Sequence, residues 1–457
     1  MAQVKKSDLV KAIKAVKPFV ATGNPADPIV KTILFDGENQ KLMATNFSVY
    51  AEVHLPIFGA SKTVIKPKQS VARISRDDLE DLTVAQMKDL VADYFTKEQA
   101  EALPAKPKRE DLLSVISLVF EASVDKEISE AADEWITVHE RFCVEPKLFL
   151  KMVESMDEKP DDMIDLKMEA CERPGSFGYL LSLGASFKTM PIENPDYFPE
   201  NDKGHGDVLV TRLPGNKLAK IANVPPQEAN DTRSHIVNMF FDPIGKKIVS
   251  TDGSRLHTLD NDLNTEKNLF FDKRAMSAIC KTAGDDDVVV KTTSACSMIE
   301  VFVPSANLTV YAINDPGAAF PEYSELFSGY NRSVVIDFAS LSKTVGQANV
   351  LADADFKAIC MGFNGGLDVS FFNPNTAEFE KENIAVSGDE VEPKYVTHMN
   401  GKFVADAING IGDKIIIKLK DVDNKTDENG TLEGCYPLIF TSESFGAYSA
   451  AVMPMRV

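Results

Sequence analysis

Two periodicities alternate along this chain. In some segments apolar residues recur every three or four positions, and in others every second position, the signatures of amphipathic helices and of half-buried antiparallel strands. The first helical run covers Ser7–Phe19, opens on a Ser7-Asp8 capping signal and places Leu9, Ile13 and Val16 on one face. Comparable runs follow at Lys147–Met156, Gly215–Val224, Asp272–Ala283, Ala339–Val350 and Asn400–Ile411. Strand-like alternation, bounded by Gly, Asn and Asp, runs through Thr32–Phe35, Leu42–Val53, Ile164–Glu169, Lys247–Ser250, Val288–Lys291, Val334–Ile336 and Lys414–Leu419. Six helices among many strands predict an α+β fold made of three copies of a two-helix unit.

Short local matches support the threefold division. Met43-Ala44-Thr45-Asn46 resembles Val249-Ser250-Thr251-Asp252, and Tyr197-Phe198-Pro199-Glu200 resembles Phe320-Pro321-Glu322-Tyr323, in the same order within each third. Thr251 precedes its next helix by roughly 20 residues and Phe372 by nearly 30, whereas Thr45 precedes the helix near Pro146 by about 100. The spacing therefore predicts an insertion of some 70–80 residues between about 57 and 140. Within it, Asp77–Phe95 reads as a helix with Met87, Leu90 and Val91 at core spacing, and a second helix opens at Lys106-Pro107-Lys108-Arg109 and reaches about Ala122. The pair resembles the small helix–extended–helix modules of the SAP and Rho-N-terminal type, which contact nucleic acid; a structural appendage or protein-docking hairpin is the other reading.

A chain of 457 residues exceeds one core and implies two to four domains. A formal charge of −20 argues against a protein that coats nucleic acid tightly, yet it leaves room for a small basic surface. The six cysteines contain no C-x-x-C pair, the pattern of reduced thiols rather than of a disulfide frame or zinc site. The first residues lack a signal peptide's apolar run and no stretch reaches bilayer length, so a soluble, cytoplasmic protein is expected.

The carboxyl end is unusual. Chain ends are ordinarily polar and frayed, but this one closes on Ala451-Val452-Met453-Pro454-Met455-Arg456-Val457. Proline stiffens the segment and the thioethers offer adaptable apolar surface, which suits either a last strand finishing in the core or a docking surface.

Three of these stretches together resemble one family. Ile248-Val249-Ser250-Thr251-Asp252-Gly253-Ser254-Arg255-Leu256, Phe320-Pro321-Glu322-Tyr323 and Val452-Met453-Pro454-Met455-Arg456 stand in the order in which the bacterial-type sliding clamp, the β subunit of the replicative DNA polymerase III, carries its T-D-G-x-R-L, F-P-x-Y and M-P-M-R motifs. The resemblance covers the whole chain apart from the insertion, and the insertion together with the drift elsewhere looks like a phage or mobile-element version. It implies the DNA-clamp fold in three tandem domains, 1–205, 206–330 and 331–457, with sheets outside and two helices inside each. It further implies a head-to-tail homodimer ring around duplex DNA, opened by a clamp-loader ATPase, that tethers the replicative polymerase and other clamp-motif proteins, with no cofactor and no membrane partner.

On that resemblance the lumen-facing cations are Lys11, Lys14, Lys17, Lys147, Lys151, Lys217, Lys220, Lys273, Arg274, Lys281, Lys343 and Lys402. Lysine suits loose tracking because it meets phosphate as a mobile point charge. The implied peptide pocket is walled by Ile236, Thr251, Gly253, Ser254, Arg255, Leu256, Pro321, Leu326, Ala451, Met453, Pro454 and Met455, with Gly253 permitting a positive-φ turn and Arg255 free to hold a peptide carbonyl. Ser254 stands where the family commonly has histidine, Glu325 where it has a basic residue and Ala451 where it has a larger aliphatic, which changes the peptide preference.

Enzymatic chemistry is not visible in the sequence. Asp285-Asp286-Asp287 follows Gly284 and precedes a strand, as a solvated turn does. Asp421–Gly430 lacks the twelfth-position glutamate of an EF-hand and reads as a hairpin loop. The histidines are dispersed, and neither G-x-S-x-G nor a phosphate-cradling loop occurs. Two rival readings stay open here: a clamp-fold scaffold or decoy without DNA, and a metal-dependent nuclease using Asp285 or Asp423.

Overall fold

The structure is a computed structural model, and it describes residues 2–58, 62–65, 112, 135–138, 141–173, 176–183, 188–192, 195–199, 204–228, 231–352, 357–371, 382–391, 394–420, 425–426, 432–433 and 435–455. The described helices are α1 (Lys6–Val16), α2 (Pro146–Glu154), α3 (Gly215–Ala222), the single turn α4 (Ser234–Val237), α5 (Lys273–Ala283), α6 (Phe338–Leu351) and α7 (Gly401–Ile408). All six helices expected from periodicity are present. Each buries one stripe: Leu9, Ile13 and Val16 in α1, Met276, Ile279 and Cys280 in α5. The first starts one residue earlier than the capping signal implies. Lys5 holds the N-cap position without a side-chain cap, and Ser7 lies inside the first turn bonded to Asp8. Glu145, Asp272, Asp337 and Asn400 cap α2, α5, α6 and α7 by accepting from backbone N–H groups in their first turns.

One order of elements recurs three times: strand, helix, four strands, helix, three strands. It runs from Ala2 to Ile192, from Val208 to Ile313 and from Arg332 to Val452, with a few short extra strands between. In every copy the two long helices pack on each other, α1 on α2, α3 on α5 and α6 on α7. The first strand and the last three form one sheet, and the middle four form another. Copies are joined by strand pairing. The last strand of the second copy, Leu308–Ile313, pairs antiparallel with Val49–His54 of the first, Val310 opposite Ala51. The last strand of the third, Tyr448–Val452, pairs antiparallel with Arg255–Asp260 of the second, Thr258 opposite Ser449. The junctions are therefore continuous hydrogen-bonded sheets of eight and nine strands among the described residues. A single apolar core runs beneath all three copies, from Leu9 and Phe35 through Met276 and Val301 to Ile417 and Phe440.

Most of the expected insertion, including Asp77–Phe95 and nearly all of the segment from Lys106 to Ala122, lies outside the described residues. Its two described strands, Lys62–Ile65 and Trp135–Val138, pair antiparallel. Most of Asp421–Gly430 also lies outside, although Lys425–Thr426 pairs antiparallel with Leu432–Glu433.

Candidate functional site

The turn between strands Lys247–Thr251 and Arg255–Asp260 carries its own template in its sequence. Thr251 Oγ1 donates to the Arg255 carbonyl at 2.7 Å and accepts from Gly253 N at 3.1 Å, while Asp252 Oδ1 accepts from Ser254 N and Arg255 N at 3.0 Å. Gly253 sits at φ +90°, where a side chain is strained. The carboxyl-terminal segment lies on this turn. Met453 N donates to Ser254 O at 2.9 Å, Met455 N donates to His398 O at 2.7 Å, and Pro454 bridges to Met399. The final described residues thus span the second and third copies rather than ending inside either.

The expected pocket residues separate into a buried set and a surface set. Ile236, Leu256 and Ala451 are buried, with Ala451 paired between Leu256 and Ile439. Met453 is 38% exposed, Pro321 is exposed, and Pro454, Met455 and Leu326 are half-buried. Phe320 stacks on Phe240 at 4.8 Å and Tyr323 donates to Asp242 at 2.6 Å, so the Phe-Pro-Glu-Tyr segment is fastened to a strand of the second copy. Ser254 Oγ accepts from Gln227 Nε2 at 2.7 Å, a neighbour that no sequence pattern indicated.

Arg255 departs from its expected role. Its side chain is 2% exposed; Nε donates to Asp252 Oδ2 at 3.0 Å, Nη1 donates to Asp406 Oδ2 at 2.7 Å, and the guanidinium lies 4.4 Å from the centroid of the Phe403 ring. It fastens α7 of the third copy to a strand of the second and has no free donor face for a peptide carbonyl. Neighbouring His257 is enclosed. Its Nδ1 faces Lys220 O at 3.2 Å and Tyr448 Oη at 3.0 Å, and Tyr448 donates onward to Ala407 O at 3.2 Å, which places the ring proton on Nδ1. Burial, reinforced by the Arg255 charge, pulls the imidazole down to about 3.

That imidazole predicts an acid-sensitive junction. Its folded pKa lies below the unfolded value, so the unfolded chain takes up the extra proton, and stability falls as pH drops below about 6.5 towards 3. Going from pH 7 to pH 5 should remove up to about 2 kcal/mol. Urea unfolding at both pH values measures it, and His257→Gln should flatten the difference; an equal slope in the variant would assign the acid sensitivity elsewhere.

Two of the expected DNA-facing cations are placed differently. Lys273, at the start of α5, is buried; its ammonium donates to Thr251 O at 2.9 Å, and burial lowers it to about 8. It holds the Thr251–Arg255 turn. Lys220 on α3 is half-buried, bonded to Asn409 O across the junction, and likewise lowered by burial. Both ammonium groups are engaged by backbone carbonyls, Lys273 within its own copy and Lys220 across the junction. Lys17 is half-buried, and Lys11, Lys14, Lys147, Lys151, Lys217, Arg274, Lys281, Lys343 and Lys402 are exposed on the long helices. Lys14 pairs with Glu154 of α2 at 2.8 Å, a solvent-screened contact of little worth. Lys217 Nζ stands 5.9 Å from the centroid of the Phe445 ring. Asp285, Asp286 and Asp287 are exposed where α5 turns into the next strand, and Asp285 accepts from Asn216 at 2.8 Å. Among the described residues no helix is long and apolar enough to cross a membrane.

With this geometry in hand, solved structures identify the architecture. A sliding clamp of Pseudomonas aeruginosa, the DNA polymerase III subunit β bound to griselimycin, matches over 100% of both chains with a TM-score of 0.67 and 15% identity. The fold is that of the bacterial DNA sliding clamps. The DNA polymerase III β subunit of Thermotoga maritima matches over 100% of both chains (TM-score 0.66, 12% identity), and the Bacillus subtilis sliding clamp over 100% of this chain and 99% of its own (TM-score 0.64, 10% identity). No family model and no curated protein matches the sequence. The clamp fold is thus shared at an identity of 10–15%.

Proposed function

We propose that this protein is a DNA sliding clamp: two copies close head to tail into a ring around duplex DNA, and each tethers polymerase and other replication proteins through the surface formed by Met453, Pro454, Met455, Leu326 and Pro321. The observation that carries the ring is the rule of strand pairing. At both junctions the last strand of one copy pairs with the third of the four middle strands of the copy before it. Applied once more, that rule leaves two strands over: Lys188–Ile192, the last strand of the first copy, and Glu382–Ile384, the third of the four middle strands of the third copy. Each has a neighbour on one side only among the described residues. A second chain would supply both missing partners by the same antiparallel pairing, and a closed ring leaves neither edge open.

The exposed cations on the paired helices give that ring a weakly basic interior in an acidic chain. Encirclement does not need tight phosphate binding, and loose contact permits sliding. The tether acts by raising the polymerase's effective concentration at the primer end. Replacing Lys11, Lys151 and Lys281 together by glutamate should shorten polymerase products on primed DNA severalfold at physiological salt and restore them as salt is lowered. Products of unchanged length at every salt concentration would favour the scaffold without DNA.

A further inference from the structure

The surface proposed for docking is apolar at its centre and unevenly charged around it. Leu326 packs on the cluster that contains Phe240, Val249, Leu256 and Tyr323. Tyr330 ties it to the third copy: the Tyr330 hydroxyl lies 3.1 Å from Leu326 O and 2.9 Å from Pro437 O. Pro437 immediately precedes Leu438, which pairs with Val452 in the last strand. Leu326 and Met453 therefore belong to one stretch of surface. Ser254 adjoins Met453 through its carbonyl and Gln227 through its hydroxyl.

The cations of this neighbourhood already hold partners. Arg255 is enclosed between Asp252 and Asp406, and Lys273 is buried on Thr251 O. Arg233 lies against Asp231, with Nε at 3.1 Å and Nη2 at 2.6 Å. Lys420 Nζ stands 4.4 Å from the centroid of the Tyr436 ring. The carboxylates are placed otherwise. Glu322 and Glu325 are exposed beside Pro321 and Leu326, and among the described residues neither makes an ion pair. Glu322 Oε1 accepts from Tyr323 N at 3.0 Å and Ser324 N at 2.9 Å, bonds that fix its place and leave its charge unneutralised. Glu228 is exposed beside Gln227 as well. Because the buried carboxylates Asp252 and Asp406 are balanced by Arg255 and Lys273, the excess charge facing solvent around the apolar centre is negative.

We infer that the docking surface selects partner peptides whose apolar anchors are flanked by lysine or arginine. The inference deepens the docking reading and rests on it; it does not depend on ring closure or on DNA. Charge complementarity chooses the occupant. A basic residue next to an apolar anchor lays its methylene stem along the apolar surface and carries its head to Glu325 or Glu322. An acidic flank meets like charge there, and the nearest cations are engaged elsewhere, so discrimination has a repulsive as well as an attractive part. Both parts act between exposed charges and are therefore screened by salt.

Three fluorescein-labelled peptides test it, each with a Leu-Leu anchor flanked on both sides by lysine, by glutamine or by glutamate. They are titrated with the full chain and read by anisotropy. The lysine form should bind about 10-fold more tightly than the glutamate form at low salt, two exposed attractions replacing two repulsions, and the preference should shrink as salt rises. The chain's overall charge of −20 attracts any basic peptide, so two variants isolate the local carboxylates. Glu322→Gln with Glu325→Gln keeps an acceptor for the Tyr323 and Ser324 N–H groups and should cut the preference below about 3-fold. Glu322→Lys with Glu325→Lys should turn it toward the glutamate form. Equal affinity of the lysine and glutamate forms for the native chain, or a preference undiminished in both variants, would overturn the inference. Failure of all three peptides to bind, the glutamine form included, would sink the docking reading and the inference with it.

Discussion

Replacing Arg255 by alanine should destabilise the protein by about 3–5 kcal/mol, the cost of stranding a buried carboxylate. Asp252 has a side chain only 1% exposed and loses its guanidinium partner, although Oδ1 keeps its two backbone donors. The bond to Asp406 contributes less, since that carboxylate is nearly half open to solvent. The Phe403 ring loses its cation as well. Arg255→Lys should recover little, because a point-like ammonium cannot serve two carboxylates and a ring face together. Urea unfolding gives the magnitude, and hydrogen exchange gives the location: protection should fall first along Arg255–Asp260 and Tyr448–Val452, the strands that join the second and third copies. A loss below about 1 kcal/mol would show that the guanidinium is dispensable to the junction.

The second large effect concerns binding with stability unchanged. Met453→Asp combined with Met455→Asp should weaken the affinity for apolar-anchored polymerase peptides by at least about 100-fold. Each methionine buried under a partner is worth roughly 1.5–3 kcal/mol, and every 1.4 kcal/mol is a factor of ten. The fold should tolerate the change, because the segment is held by the bonds of Met453 N and Met455 N, which aspartate preserves. Fluorescence anisotropy with a labelled peptide reads the loss. Unaltered affinity in the doubly substituted protein would move the docking surface elsewhere.

The same residues show how far a sequence speaks for its fold. Helix spacing and strand alternation placed the long helices, because one-sided burial leaves a period that any amphipathic element must obey. The repeat was legible from short strings such as Met43–Asn46 and Val249–Asp252, whose threonine and acidic or amide residue form the same turn in both copies. What escaped detection depends on partners far along the chain. Arg255 reads as a surface cation until Asp406, 151 residues on, is folded against it. Lys273 follows a helix cap and would ordinarily reach water; only the tertiary placement of the Thr251 carbonyl turns it inward. Likewise Ile236, Leu256 and Ala451 are apolar whether they line a pocket or fill a core, and only the folded chain shows that they are buried.

The most direct measurement compares retention on circular and linear DNA. The protein is loaded onto each by an ATP-driven clamp loader and then passed through gel filtration at a salt concentration that disrupts simple electrostatic binding. A closed ring stays on the circle, slides off the linear molecule, and is retained again when the linear ends are blocked. Equal retention on open linear and circular DNA, or release from both, would contradict encirclement.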